Sequence, residues 1–194
     1  MRRARLARAL LLLLCAAVPA RAADDAGLRA GVFSPPSAAP EFALQGSDGA
    51  ELRLGRFRGR VVALAFGFTS CPKVCPTTLA TLARARRLLG ARAGELQVVY
   101  VTVDPARDDA ERMREYLANF DPSFVGGTGS AEALAAVRER YGVVAQQVTA
   151  PDGAAFSHSS SIYLIGRDGT LRALMPYGHD AGDFAHDVGI LLGE

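Results

Sequence analysis

The sequence predicts an α/β protein: a central mixed β-sheet flanked by helices, with an N-terminal hairpin. Three observations carry this. Two apolar runs, Val61 to Phe68 and Gln97 to Val103, read as strands buried on both faces of a sheet. Each is followed by helically spaced apolar residues, and the last third returns to a strand pair and one closing helix. Two cysteines, Cys71 and Cys75, lie where the first of these strands gives way to a helix, and that placement makes the fold thioredoxin-like.

The first 22 residues differ from the rest. Arg2, Arg3, Arg5 and Arg8 precede an apolar run from Ala9 to Val18, and Ala20-Arg21-Ala22 offers a small-x-small cleavage site. This is the layout of a secretory signal peptide over residues 1–22, with an apolar run short for a bilayer span. The expected location is therefore the periplasm, or the inner membrane surface if the segment stays uncleaved. Cys15 does not suit lipidation, because Leu14 stands where a small residue is needed. Without the segment's five arginines the chain keeps 17 basic against 20 acidic residues, a net charge of −3. A mildly acidic domain carries no electrostatic footprint for nucleic acid. About 170 residues remain, enough for one domain with a proper core.

Residues 23–39 are rich in Ala, Asp, Gly, Ser and Pro and read as a flexible leader, with the folded domain over residues 40–194. Phe42 and Leu44, the turn Ser47-Asp48-Gly49, then Leu52 and Leu54 form a hairpin signature. After Cys75, Pro76 suits the first position of a helix carrying Leu79, Leu82 and Leu89. The second buried strand ends at Asp104-Pro105. Asp108, Asp109 and Glu111 then open a helix bearing Met113, Tyr116, Leu117 and Phe120. Gly126 to Gly129 reads as a turn, and Ser130 as the cap of a helix with Leu134, Val137 and Tyr141. Ser161 to Ile165, the turn 166–169, and Thr170 to Met175 make a second hairpin, and Phe184, Val188 and Leu191 mark the last helix.

The chemistry concentrates in Cys71-Pro72-Lys73-Val74-Cys75-Pro76. One cysteine pair is thin stapling for a domain of this size, so the pair points to chemistry more than to structure. A helix N-terminus favours thiolate, the form that attacks disulfides and binds metals. Lys73, the one lysine in the chain, lies between the thiols. The spacing permits a redox dithiol as well as convergence on one soft ion. Two thiolates suit Cu(I), and an added imidazole makes a three-coordinate site that also takes Cu(II). Of three histidines, His158 precedes the strand Ile162 to Ile165, from which a thioredoxin-like fold turns it toward the thiols; its bland alternative is a loop histidine bonded to nearby serines. His179 and His186 read as surface groups. Disulfide exchangers of this fold carry a proline just before that strand, where Ser159, Ser160 and Ser161 stand here. A peroxidatic cysteine needs a threonine three residues earlier, where Pro72 stands.

Taken together, Gly67 to Pro76, Val101-Thr102-Val103-Asp104-Pro105-Ala106-Arg107-Asp108, and His158-Ser159 followed by Tyr163-Leu164 closely resemble the Sco/SenC family of copper chaperones for cytochrome c oxidase, over roughly residues 38 to 192. The resemblance implies one copper held by Cys71, Cys75 and His158. It also implies a metallochaperone more than an enzyme, acting on the dinuclear copper centre of oxidase subunit II at the membrane surface. That action is metal delivery, reduction of the acceptor's cysteines, or both, with another periplasmic copper carrier as a candidate donor. An exported thiol-disulfide oxidoreductase without a metal is the alternative. Departures from the family are Asp109, where threonine is common, and Ala155-Phe156-Ser157 before the histidine. Asp104 and Asp108 are candidates for supporting the site or docking a partner; equally, Asp104 ends a strand and Asp108 caps a helix.

Overall fold

The computed structural model describes residues 27–150 and 153–193. The expected signal segment, residues 1–22, lies outside them. Part of the expected leader does not: Gly31–Ala38 forms an edge strand, β1. Its side chains are almost all exposed, so no hydrophobic alternation announced it. Pro35 and Pro36 are tolerated because an edge strand needs few of its N–H groups. The chain just before it is held by the buried Asp187 carboxylate, which accepts from the amides of Arg29 and Ala30, both at 2.9 Å.

The expected first hairpin follows, as β2 (Ala43–Gly46) and β3 (Glu51–Arg53), with Leu44 paired to Leu52. Then come β4 (Val61–Gly67), α1 (Val74–Leu88), β5 (Leu96–Thr102) and α2 (Ala110–Ala118). The glycine stretch expected as a turn is instead a strand, β6 (Val125–Thr128). Glycine is needed there for close approach: a Cβ on Gly126 would stand 2.9 Å from the Met113 side chain, and one on Gly127 2.7 Å from Leu52. The helix α3 (Ala131–Arg140) is capped by Ser130, whose side chain accepts from the Ala133 amide.

A strand pair with no sequence signature comes next, β7 (Ala145–Ala150) and β8 (Gly153–His158). These form a separate two-stranded ribbon. The second expected hairpin, β9 (Ile162–Ile165) and β10 (Thr170–Met175), and the closing helix α4 (Ala181–Leu192) complete the chain.

The main sheet runs β1-β10-β9-β4-β5-β6-β2-β3. β4, β5 and β6 are parallel, while β9 joins β4 antiparallel, so the sheet is mixed. All seven residues of both β4 and β5 are buried, as continuous apolar runs at the centre of a covered sheet must be. The helices flank this sheet in the thioredoxin-like manner, with α1 against α4 and α2 against β6. No described helix is long and apolar enough to cross a membrane.

Candidate metal and redox centre

The central strand β4 ends at Gly67, and Phe68 to Lys73 carry the chain into α1. Pro76, expected at the first helical position, is the third residue, because α1 opens at Val74 with Lys73 in the cap position. The change is harmless, since amides throughout the first turn lack helical partners. No side chain caps this end. Instead the Cys75 amide donates to Cys71 Sγ at 3.3 Å, so one thiol sits where the helix amides point. Both cysteines are free thiols, Cys71 partly exposed and Cys75 buried.

Burial corrects the sequence expectation for Cys75. It is 3% exposed, and desolvation pushes its thiol up to about 12, outweighing the lowering by the Tyr100 hydroxyl beside it. The sign for stability follows. The folded state holds this proton more tightly than the unfolded chain, so the contribution is complete below about 9 and is lost as pH rises toward 12. We expect the reduced, metal-free protein to lose stability in this window at up to about 1.4 kcal/mol per pH unit from this group. Denaturant titrations of the wild type beside Cys75→Ala check it; equal pH slopes would remove burial as the cause.

His158 is the last residue of β8, not part of an irregular loop as expected. Its Nε2 lies 3.7 Å from Cys75 Sγ. On the other side of the ring, Nδ1 is 2.8 Å from the Ser159 carbonyl oxygen. A carbonyl only accepts, so Nδ1 donates this bond, and in the neutral ring Nε2 presents its lone pair to the sulfur. The ring stands edge-on to Phe68, with centroids 5.9 Å apart, and Phe68 meets Phe156 at 5.8 Å. These aromatic contacts hold the ribbon against the cysteine loop.

Two of the three candidate ligands therefore face each other, while Cys71 Sγ rests on an amide. Among the described residues, no three ligating side chains converge on one point. The donor set nonetheless fits a soft ion. The Cys75–His158 gap is 3.7 Å, and Cys71, whose Sγ accepts from the Cys75 amide, would have to turn to join them.

The two acidic candidates separate. Asp109, not Asp108, caps α2, accepting from the Arg112 amide at 2.8 Å. Asp108 is fully buried and accepts from the Thr69 amide at 3.0 Å, the Thr69 hydroxyl at 2.6 Å and the Thr102 hydroxyl at 2.6 Å. It thereby ties the cysteine loop to the end of β5. Arg112 adds a bond to the Thr69 hydroxyl at 2.7 Å and another to Ser70 Oγ at 3.3 Å. Asp104, also buried, pairs with Arg107. His179 and His186 pair with Asp183 and Asp187, each at 3.0 Å, apart from the thiols. Sequence reasoning missed Tyr100 and Phe68 as neighbours of the site. Their place in apolar runs gave them an ordinary core explanation, and only their contacts reveal more.

Comparison with known proteins finds matches over most of the chain. The family model described as SCO1/SenC matches residues 33–192. A curated relative from Stutzerimonas stutzeri, named a putative copper-binding protein, is 36% identical over 169 residues, covering 84% of this chain and 83% of the relative. Several SCO2-like relatives are longer, matched over 64% or less of their own length. Among solved structures, Arabidopsis thaliana ScoI with copper bound superposes with a TM-score of 0.76 at 28% identity, over 81% of this chain and 100% of that one. Apo Sco1 from Thermus thermophilus also gives 0.76, at 34% identity, over 85% of this chain and 97% of that one.

Proposed function

Because the chain belongs to the SCO1/SenC family of copper-binding proteins linked to cytochrome c oxidase assembly, we propose that it is an exported copper chaperone. Its cargo is one copper ion held by Cys71, Cys75 and His158. The acceptor is the dinuclear copper centre of oxidase subunit II, which it loads, whose cysteines it reduces, or both. Another copper carrier of the same compartment supplies the ion. The observation that carries this reading is the 3.7 Å approach of His158 Nε2 to Cys75 Sγ across 83 residues of sequence, beside a second thiol. Tautomer supports it too. The Ser159 carbonyl keeps the proton on Nδ1, leaving Nε2 to bond a metal, as an outer partner does for ligating histidines.

The ligands' chemistry explains both oxidation states. Two thiolates satisfy Cu(I), and the imidazole supplies the nitrogen that Cu(II) prefers. Binding must displace the Cys75 proton, so copper affinity rises with pH. Reduced protein is expected to hold one copper per chain by metal analysis; no copper above background would end this reading. For His158→Ala we expect Cu(II) affinity to fall at least about 10-fold more than Cu(I) affinity, since the softer ion keeps its two thiolates. Competition titrations in each oxidation state measure this, and equal losses would take His158 out of the ligand set. The metal-free oxidoreductase reading predicts rapid disulfide reduction with no copper uptake. Ser161 in place of a proline before β9 weighs against it.

A further inference from the structure

Tyr100 lies at the middle of β5 with its ring buried, 1% exposed, and nothing in the sequence marks it as more than core. Yet its hydroxyl ends at the cysteine site. A Cβ built on Gly67 would stand 2.0 Å from the Tyr100 hydroxyl oxygen and 2.8 Å from Cys75 Sγ. Both atoms thus crowd the same face of Gly67. Glycine at the end of β4 is what lets them approach. The hydroxyl donates to the Phe68 carbonyl at 3.4 Å, a long bond that holds the proton weakly. A phenol has one proton and can rotate it, and a thiolate sulfur is a stronger acceptor than a distant neutral carbonyl.

We propose that Tyr100 is a tuning residue of the metal centre, its hydroxyl turning from the Phe68 carbonyl to Cys75 Sγ when that sulfur becomes anionic or copper-bound. This rests on Cys75 being a copper ligand as proposed above, and it adds a group to the site that no ligand motif contains. Hydrogen bonding at a coordinating cysteine sulfur sets the potential of copper–thiolate centres. A donor there stabilises the more negative assembly, which is the Cu(I) form, and withdraws density from the sulfur.

The test is Tyr100→Phe, which keeps the ring and removes one oxygen, in the full chain. With copper loaded, the ratio of Cu(I) to Cu(II) affinity is expected to fall about tenfold, the scale of one hydrogen bond to a charged group. The sulfur-to-Cu(II) charge-transfer band should move to longer wavelength. A core role alone would lower thermal stability and leave both readouts in place, and that result overturns the inference. A second arm works without metal. In a Cys71→Ser background, alkylation of Cys75 by iodoacetamide, followed by peptide mass spectrometry, should slow several-fold on adding Tyr100→Phe. An equal rate overturns the proposal. If the wild type takes up no copper, the chaperone reading fails while the alkylation arm still decides whether Tyr100 acts on Cys75.

Discussion

Replacing Cys75 by serine is expected to abolish tight copper binding. Changing an outer hydrogen-bond partner of a metal ligand costs about 10–100-fold in affinity, and loss of a thiolate ligand should exceed that range. Serine offers a hydroxyl that is neither soft nor ionised at neutral pH, in a position 3% exposed where water cannot replace the missing donor. It would also leave His158 Nε2 facing a poor ligand across the same gap. The accompanying stability change is small by comparison, about 1–3 kcal/mol for burying a hydroxyl without a strong partner. Titration of the reduced variant against a Cu(I) chelator, alongside thermal unfolding, separates the two effects. Affinity within tenfold of wild type would exclude Cys75 as a ligand.

Asp108→Ala is expected to be the most damaging substitution for stability near the site, at about 3–5 kcal/mol. The carboxylate is wholly buried and serves the Thr69 amide, the Thr69 hydroxyl and the Thr102 hydroxyl at once. Its removal strands that amide, which cannot reorient as the hydroxyls can, and strips Arg112 of the carboxylate 3.7 Å away. For a domain of this size the loss corresponds to a fall in melting temperature of about 10 °C. Asp108→Asn keeps one carbonyl oxygen for the Thr69 amide and should recover much of it. Calorimetry of both variants decides the matter: if alanine and asparagine cost the same, and less than about 1 kcal/mol, the network is not what holds the cysteine loop.

Much of the architecture could be read from patterns one element long. β4 and β5 were legible because a strand covered on both faces is apolar throughout. The two hairpins were legible from their turns, strand pairs joined across Asp-Gly, with hydrophobic alternation in the first. β1 escaped because an edge strand with exposed side chains follows no hydrophobic rule. β6 was mistaken for a turn because its glycines answer to Met113 and Leu52, residues distant in sequence. The assignment of a cap to Asp108 failed by one residue, Asp109 taking that role and freeing its neighbour for burial.

The candidate centre divides in the same way. The sequence by itself determined that two thiols flank the start of a helix fed by a central strand, since proline, cysteine and apolar run all lie within one local stretch. Its motifs were also enough to identify the family. Tertiary structure alone decided that Cys75 is the buried thiol and that His158 turns Nε2 toward sulfur from the end of a ribbon. The reason is physical. Burial, ring orientation and ligand approach are set by contacts between segments 83 residues apart, and no pattern of local periodicity encodes which faces will meet.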